Sequence, residues 1–193
     1  MKLSILLILS MMFGCARPPP IELYRKIGNN SYTHQCDLPI FYGMDKSVPE
    51  ELKPVIIKAF DYWDSLFKYN LFFYIGDNLD EEIVDSEAMV VVKIVEEKDS
   101  FDKSGATTHI SAIYNIKGCM PNPRIEVKNR ILIFNDNSVE TVLRHEIGHV
   151  LGFIDSQYEE DLMYKTINLF FYIDKPKEAS EREKKAFEIY YKR

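Results

Sequence analysis

Apolar positions between Val55 and Phe67 recur at helical spacing. Val55, Ala59, Trp63 and Leu66 fall on one face, and Ile56, Phe60 and Phe67 widen it. Such a stripe predicts a large amphipathic helix over residues 47–67 that must pack on something. Ser47 and Glu50 stand ahead of it at S-x-x-E spacing, which reads as a capping box with Pro49 in the first turn. The helix is bracketed by two strand-like stretches, LPIFY at 38–42 and NLFFYIG at 70–76. The run AMVVVKIV, from Ala88 to Val95, is apolar and β-branched throughout, so it predicts a central strand. GATTHISAIYNI at 105–116 is more polar and suits an edge, and RILIFND at 130–136 reads as a further strand. A second helix is predicted from Asn137 to Leu151, with Asn137 and Glu140 at capping positions. A third runs from Ser180 to Tyr191 and again opens S-x-x-E, at Ser180 and Glu183. The order β-α-β-β-β-β-α-loop-α makes the fold α+β, a mixed sheet with helices packed on it.

The length, 193 residues, allows one domain rather than two. A hydrophobic content of 46% supplies a core. The net charge of −6 and the lack of Lys/Arg clusters argue against nucleic acid as a partner. Residues 1–14 stand apart from the rest. Lys2 precedes an apolar run from Leu3 to Phe13, about half the ~20 residues that a spanning helix needs, so the segment reads as a signal peptide. MFGC, ending at Cys15, resembles the lipobox of bacterial lipoproteins, where the cysteine is acylated and becomes the new N-terminus, although Phe13 is bulkier than the small residue usual there. That resemblance implies an exported protein anchored to a membrane through lipid on Cys15; ordinary cleavage nearby, giving a secreted protein, is the alternative. Residues 15–37 then form the lipidated N-terminus and linker, opening with the stiff RPPP, and 38–193 the folded domain. With Cys15 committed to lipid, Cys36 and Cys119 are left as an even pair in an oxidising compartment, which predicts one disulfide. A free thiol acting on a metal is the other reading of either cysteine.

The chemistry lies in HEIGHVLGFIDS, from His145 to Ser156. His145 and His149 are four residues apart, so they share a helix face about 6 Å apart along the axis. Two imidazoles so placed can reach one zinc ion. Glu146 is turned about 100° from His145 and can take a proton from water beside the metal. Val139, Leu143, Ile147, Val150 and Leu151 form the packing face. Gly152 stands where the helix must stop and turn, a place for a residue free to take positive φ. Asp155 follows that turn, and Met163 comes eight residues later in DLMY.

The string from His145 to Tyr164 resembles the metzincin metallopeptidases, whose pattern is H-E-x-x-H-x-x-G-x-x-H/D followed by a Met-turn, and most of all their matrixin branch. AFDYWDSLFKYNLFF at 59–73, ILIF before the zinc helix and EREKKAFEIYY at the end are also similar, so the resemblance covers residues 38–191. It implies a matrixin-like catalytic domain: a mixed twisted sheet, an active-site helix, a Met-turn and a C-terminal helix. Carried over by position, His145, His149 and Asp155 would bind one catalytic zinc, Glu146 would be the general base, and Met163 would floor the site. Gly105, Ala106, Thr107 and Thr108 would belong to the edge strand that pairs with an extended peptide or protein substrate. Aspartate as third ligand leaves the site with one positive charge where a third histidine would leave two, so bound water should be somewhat less acidified. The pattern departs from the family in three places. A structural zinc or calcium site is left open, since only His109 stands on a matching strand. No cysteine-switch propeptide is visible. Lys165 follows Tyr164 where proline is usual.

The resulting expectation is a zinc metalloendopeptidase, a hydrolase working through metal-activated water. Two alternatives stand beside it. A degenerate lipoprotein binding module would have no need of Glu146. A thermolysin-type site with Glu178 as third ligand would have no need of Gly152 and Met163 at these spacings.

Overall fold

Alternation along residues 40–45 sorts one strand between two faces. Ile40, Tyr42 and Met44 are buried in the core, while Phe41 points outward and is 41% exposed. This strand, β3 (Ile40–Asp45), sits inside a five-stranded sheet. The structure is a computed structural model, and it describes residues 26–27, 30–31, 39–67, 70–79, 89–96, 106–109 and 124–191. Two short strands, β1 (Lys26–Ile27) and β2 (Asn30–Ser31), pair antiparallel ahead of the sheet. After β3 come helix α1 (Lys53–Ser65), β4 (Phe72–Leu79), β5 (Met89–Val95), β6 (Ala106–His109) and β7 (Arg124–Lys128). A 3-10 turn at Asn129–Ile133 leads into α2 (Asp136–Val150), and a second at Leu169–Phe171 precedes α3 (Glu181–Tyr191).

The sheet order is β4-β3-β5-β7-β6. The first four strands run parallel, and β6 pairs antiparallel with β7, Thr107 opposite Glu126 and Thr108 opposite Ile125. Among the described residues Ala106, Thr107 and Thr108 therefore lie on an edge strand, while Gly105 lies outside the described residues. So do Cys15, Cys36, Cys119 and residues 1–14. The run from Met89 is central, flanked by β3 and β7.

Three expectations need correction. The strand before α2 is Arg124–Lys128, not residues 130–136. Its pattern is a half-buried alternation, Ile125 and Val127 inward, Arg124, Glu126 and Lys128 outward, with Glu126 paired to Lys93 at 2.7 Å. The more apolar Asn129–Ile133 forms the 3-10 turn instead, where only Ile131 is buried and Ile133 is 83% exposed. Continuous hydrophobicity misled the reading, because this turn passes from the core to the surface within three residues. The capping box on α1 is also absent. The helix starts later, at Lys53, with Pro54 in its first turn and no side-chain cap. Ser47 serves the sheet: its Oγ accepts the N–H of Ile94 at 2.9 Å. Glu50 pairs with Lys53, which also reaches Asp77 at 2.9 Å. Finally, α2 is capped two residues earlier than expected, by Asn135, whose side chain accepts the Ser138 N–H at 3.0 Å. Asn137 and Glu140 are spent elsewhere, on Ile173 O and on Arg144.

α1 and α2 pack together through Trp63. Its indole is fully buried and touches Phe153 and Phe187 with ring centroids 5.4 and 5.6 Å away. The indole N–H donates to the carbonyl of Arg144 at 2.8 Å, one residue before His145. An aromatic indole placed this way buries a large apolar area and still satisfies its one donor. Trp63→Ala would leave a cavity beneath the histidine helix. It is expected to cost about 3–5 kcal/mol, read as a lower urea midpoint with an unchanged slope.

Candidate metal centre

The helix that carries the histidines sorts its faces as its sequence demands. Val139, Val142, Leu143, Ile147 and Val150 are buried in the core. His145 and His149 project from the same side, their rings edge-to-face with centroids 4.7 Å apart. The helix ends at Val150, and Gly152 takes φ +94°, the left-handed turn that a side chain resists. The chain then doubles back and brings Asp155 to the histidines. One carboxylate oxygen, Oδ1, lies 3.5 Å from His145 Nε2 and 3.4 Å from His149 Nε2.

Both imidazoles are oriented by their other nitrogen. His145 Nδ1 is 3.0 Å from the carbonyl of Leu162, and His149 Nδ1 is 3.0 Å from the carbonyl of Phe153. A carbonyl only accepts, so each Nδ1 carries the proton and each Nε2 presents a lone pair. Two lone pairs and a carboxylate thus converge, all three ligand atoms within 4.8 Å of one another. Without a positive charge between them such groups repel. Donors bonded to one tetrahedral zinc at its usual bond lengths stand about 3.3 Å apart, and two of the three separations are close to that. The residues fit a zinc ion, and the carbonyl partners of the Nδ1 protons are the outer contacts that metal-binding histidines require.

The electrostatics point the same way. Burial would lower the His145 pKa, but Asp155 and Glu146 beside it prevail and hold it above its ordinary value. With a proton on the Nε2 atoms in place of an ion, the two imidazoles hold Asp155 well below the usual carboxylate range, so the group favours positive charge between its members. His145 and Glu146 are buried, whereas the Asp155 side chain is 58% exposed, so the site opens to solvent on the aspartate side.

Met163 is fully buried under this helix, where a Cβ on Gly148 would meet its sulfur at 2.3 Å. It packs beneath Gly148, the residue before His149. What holds it there was not foreseen. The Glu183 carboxylate accepts the backbone N–H groups of Leu162 at 2.9 Å and Met163 at 2.8 Å, and also caps its own helix through Ser180 N–H at 2.7 Å. Its capping role was visible at S-x-x-E spacing; its reach across twenty residues to the loop was not. Asp161 and Arg182 form a buried pair beside it, which no local pattern announces. Glu178 is exposed and stands apart; among the described residues, the one group that could hold a metal ion is His145, His149 and Asp155. His109 lies on β6, and Asp136 opens α2. Lys165 donates its N–H to the Ser156 carbonyl, closing the loop where proline could not.

The model of the matrixin family matches residues 40–180, and the chain belongs to that family. Among solved structures, metalloproteinase-II from Bacteroides fragilis is similar at 13% identity and a TM-score of 0.44, covering 78% of this chain and 56% of that one. None of the curated proteins matches the chain.

Gly148→Ala tests this packing. The added methyl would drive into Met163 and against the Trp63 ring, so a loss of about 1–3 kcal/mol is expected, seen as a lower melting temperature. Pairing it with Met163→Ala, which opens the space, should restore part of the loss.

Proposed function

We propose that the chain is a zinc-dependent metalloendopeptidase. The observation that carries the reading is the convergence of His145, His149 and Asp155 on one point, with Glu146 on the next helical position. A zinc ion held there would polarise the scissile carbonyl and make water acidic enough to attack near neutral pH. Glu146 would take a proton from the attacking water and deliver it to the leaving amine. Its burial beside a cation site favours that exchange, since an apolar surrounding strengthens each charge contact. An extended peptide would lie along β6, whose outer backbone edge has no strand beside it among the described residues. Strand addition there supplies backbone hydrogen bonds and leaves alternate side chains to select the sequence cleaved.

Glu146→Gln keeps the shape and removes the base. Zinc content should stay near one per chain while peptide hydrolysis falls by at least about 10²-fold, measured on a broad peptide library. A chelator should abolish activity in the parent and zinc should restore it. Zinc-loaded parent protein without hydrolysis across the library would instead favour a binding module.

We also propose export and lipid attachment at Cys15, on the strength of the N-terminal sequence. No helix among the described residues is long and apolar enough to cross a membrane. Attachment at Cys15 would be through acyl chains. One chain alone anchors only marginally. Cys15→Ser should move the protein from the membrane fraction to the soluble one and leave its peptidase activity intact. A Cys15→Ser protein that stays on membranes after signal removal would count against lipidation.

A further inference from the structure

We infer that Ser156, held by Asp161 and Arg182, positions the carboxylate ligand Asp155, which places the coordination geometry of the site partly under control of the C-terminal helix. The inference rests on the metal reading above. His145 and His149 ride on a rigid helix, and each has its own carbonyl partner. Asp155 has neither advantage. It is on a loop, its side chain is mostly exposed, and its carboxylate contacts are the two histidine nitrogens. Its place must come from the backbone that carries it.

That backbone is fixed at the next residue. Ser156 is 4% exposed. Its N–H donates to Met163 O at 2.6 Å, and its carbonyl accepts from Lys165 N at 3.1 Å. These bonds make the bridge between Ser156 and Tyr164 that closes the loop. The hydroxyl is engaged as well. It donates to the Asp161 carboxylate and accepts from Arg182 Nη2 and from Tyr158 N–H, both at 3.1 Å. Asp161 is fully buried, takes a bond from Ser180 Oγ at 2.7 Å and pairs with Arg182. The Arg182 guanidinium in turn lies 3.9 Å over the Tyr158 ring. So one hydroxyl joins three groups, two on the loop and one on α3, directly beside the ligand. A serine that served only to fill space would not need a buried ion pair to hold its oxygen.

Removing that oxygen should free Asp155 while leaving both histidines in place. The test measures zinc affinity by chelator competition and the visible spectrum of the cobalt-loaded protein, in the full chain. Ser156→Ala should weaken zinc about 10–100-fold and shift the cobalt bands toward those of Asp155→Ala. The effect should vanish in the Asp155→Ala background, because a positioning residue has nothing left to position. Ser156→Thr, which keeps the hydroxyl, should recover most of the affinity. Equal zinc affinity in parent and Ser156→Ala overturns the inference alone, and so does an additive loss in the double variant, which would mark a purely structural role. A parent chain that takes up no zinc overturns the metal reading and this inference together. Should Ser156→Ala not fold, Ser156→Cys, which keeps a weaker donor at the same point, is put through the same cycle.

Discussion

The Glu183 carboxylate ties the candidate metal centre to α3. Three backbone N–H groups, those of Leu162, Met163 and Ser180, point at its two oxygens. A buried carboxylate is tolerable only when so supplied, and charge-assisted bonds of this kind are roughly twice as strong as neutral ones. The amide that Glu183 holds at Leu162 belongs to the residue whose carbonyl orients His145. A helix that adds nothing to the candidate metal group thus supports the residue whose carbonyl orients the His145 ring. Tyr191 continues the pattern by donating to the Leu151 carbonyl where the histidine helix stops.

A second set of contacts threads the segment before that helix. Arg144 stacks over Tyr62 at 3.8 Å and donates to the Lys177 carbonyl at 3.0 Å, while Thr141 accepts the Lys177 N–H at 2.9 Å. The Tyr62 hydroxyl accepts from Ala179 N–H. α1, α2 and the strap into α3 are therefore bonded side to side around the Trp63 indole. Aromatic packing supplies the area and these polar contacts supply the register.

Whether a feature was legible depended on how far its cause lay along the chain. His145, Glu146, His149 and the Gly152 turn follow from spacing within one helix and its end, so they could be read directly. The amphipathic stripe on α1 and the central strand at Met89 were equally local. Ser47 looked like a helix cap because its spacing to Glu50 matches one, but a serine hydroxyl beside a parallel strand found the Ile94 amide instead. The 3-10 turn at Asn129–Ile133 was misread because apolar content does not distinguish a strand from a turn that crosses the surface. Glu183, Asp161 and Arg182 act over about twenty residues, and periodicity carries no signal at that range. Asp155 falls between the two cases: its ligand role rested on the family pattern, and its proposed placement on a serine that joins local loop groups to the remote Arg182.

The distances spanned by the polar contacts bear on the timing of assembly. The bond from Ala179 to Tyr62 closes 117 residues, and that from Trp63 to Arg144 closes 81. Contacts this remote in sequence raise the contact order of the fold, and their loop-closure cost is met before they stabilise it. The histidines precede Glu183 in the chain, and Glu183 holds the amide of the residue whose carbonyl orients His145. The emerging polypeptide can therefore carry all three ligands and still lack a preformed cradle for the ion. On the proposed zinc reading, capture of the ion would be coupled to docking of α3 rather than to synthesis of the three residues that hold it.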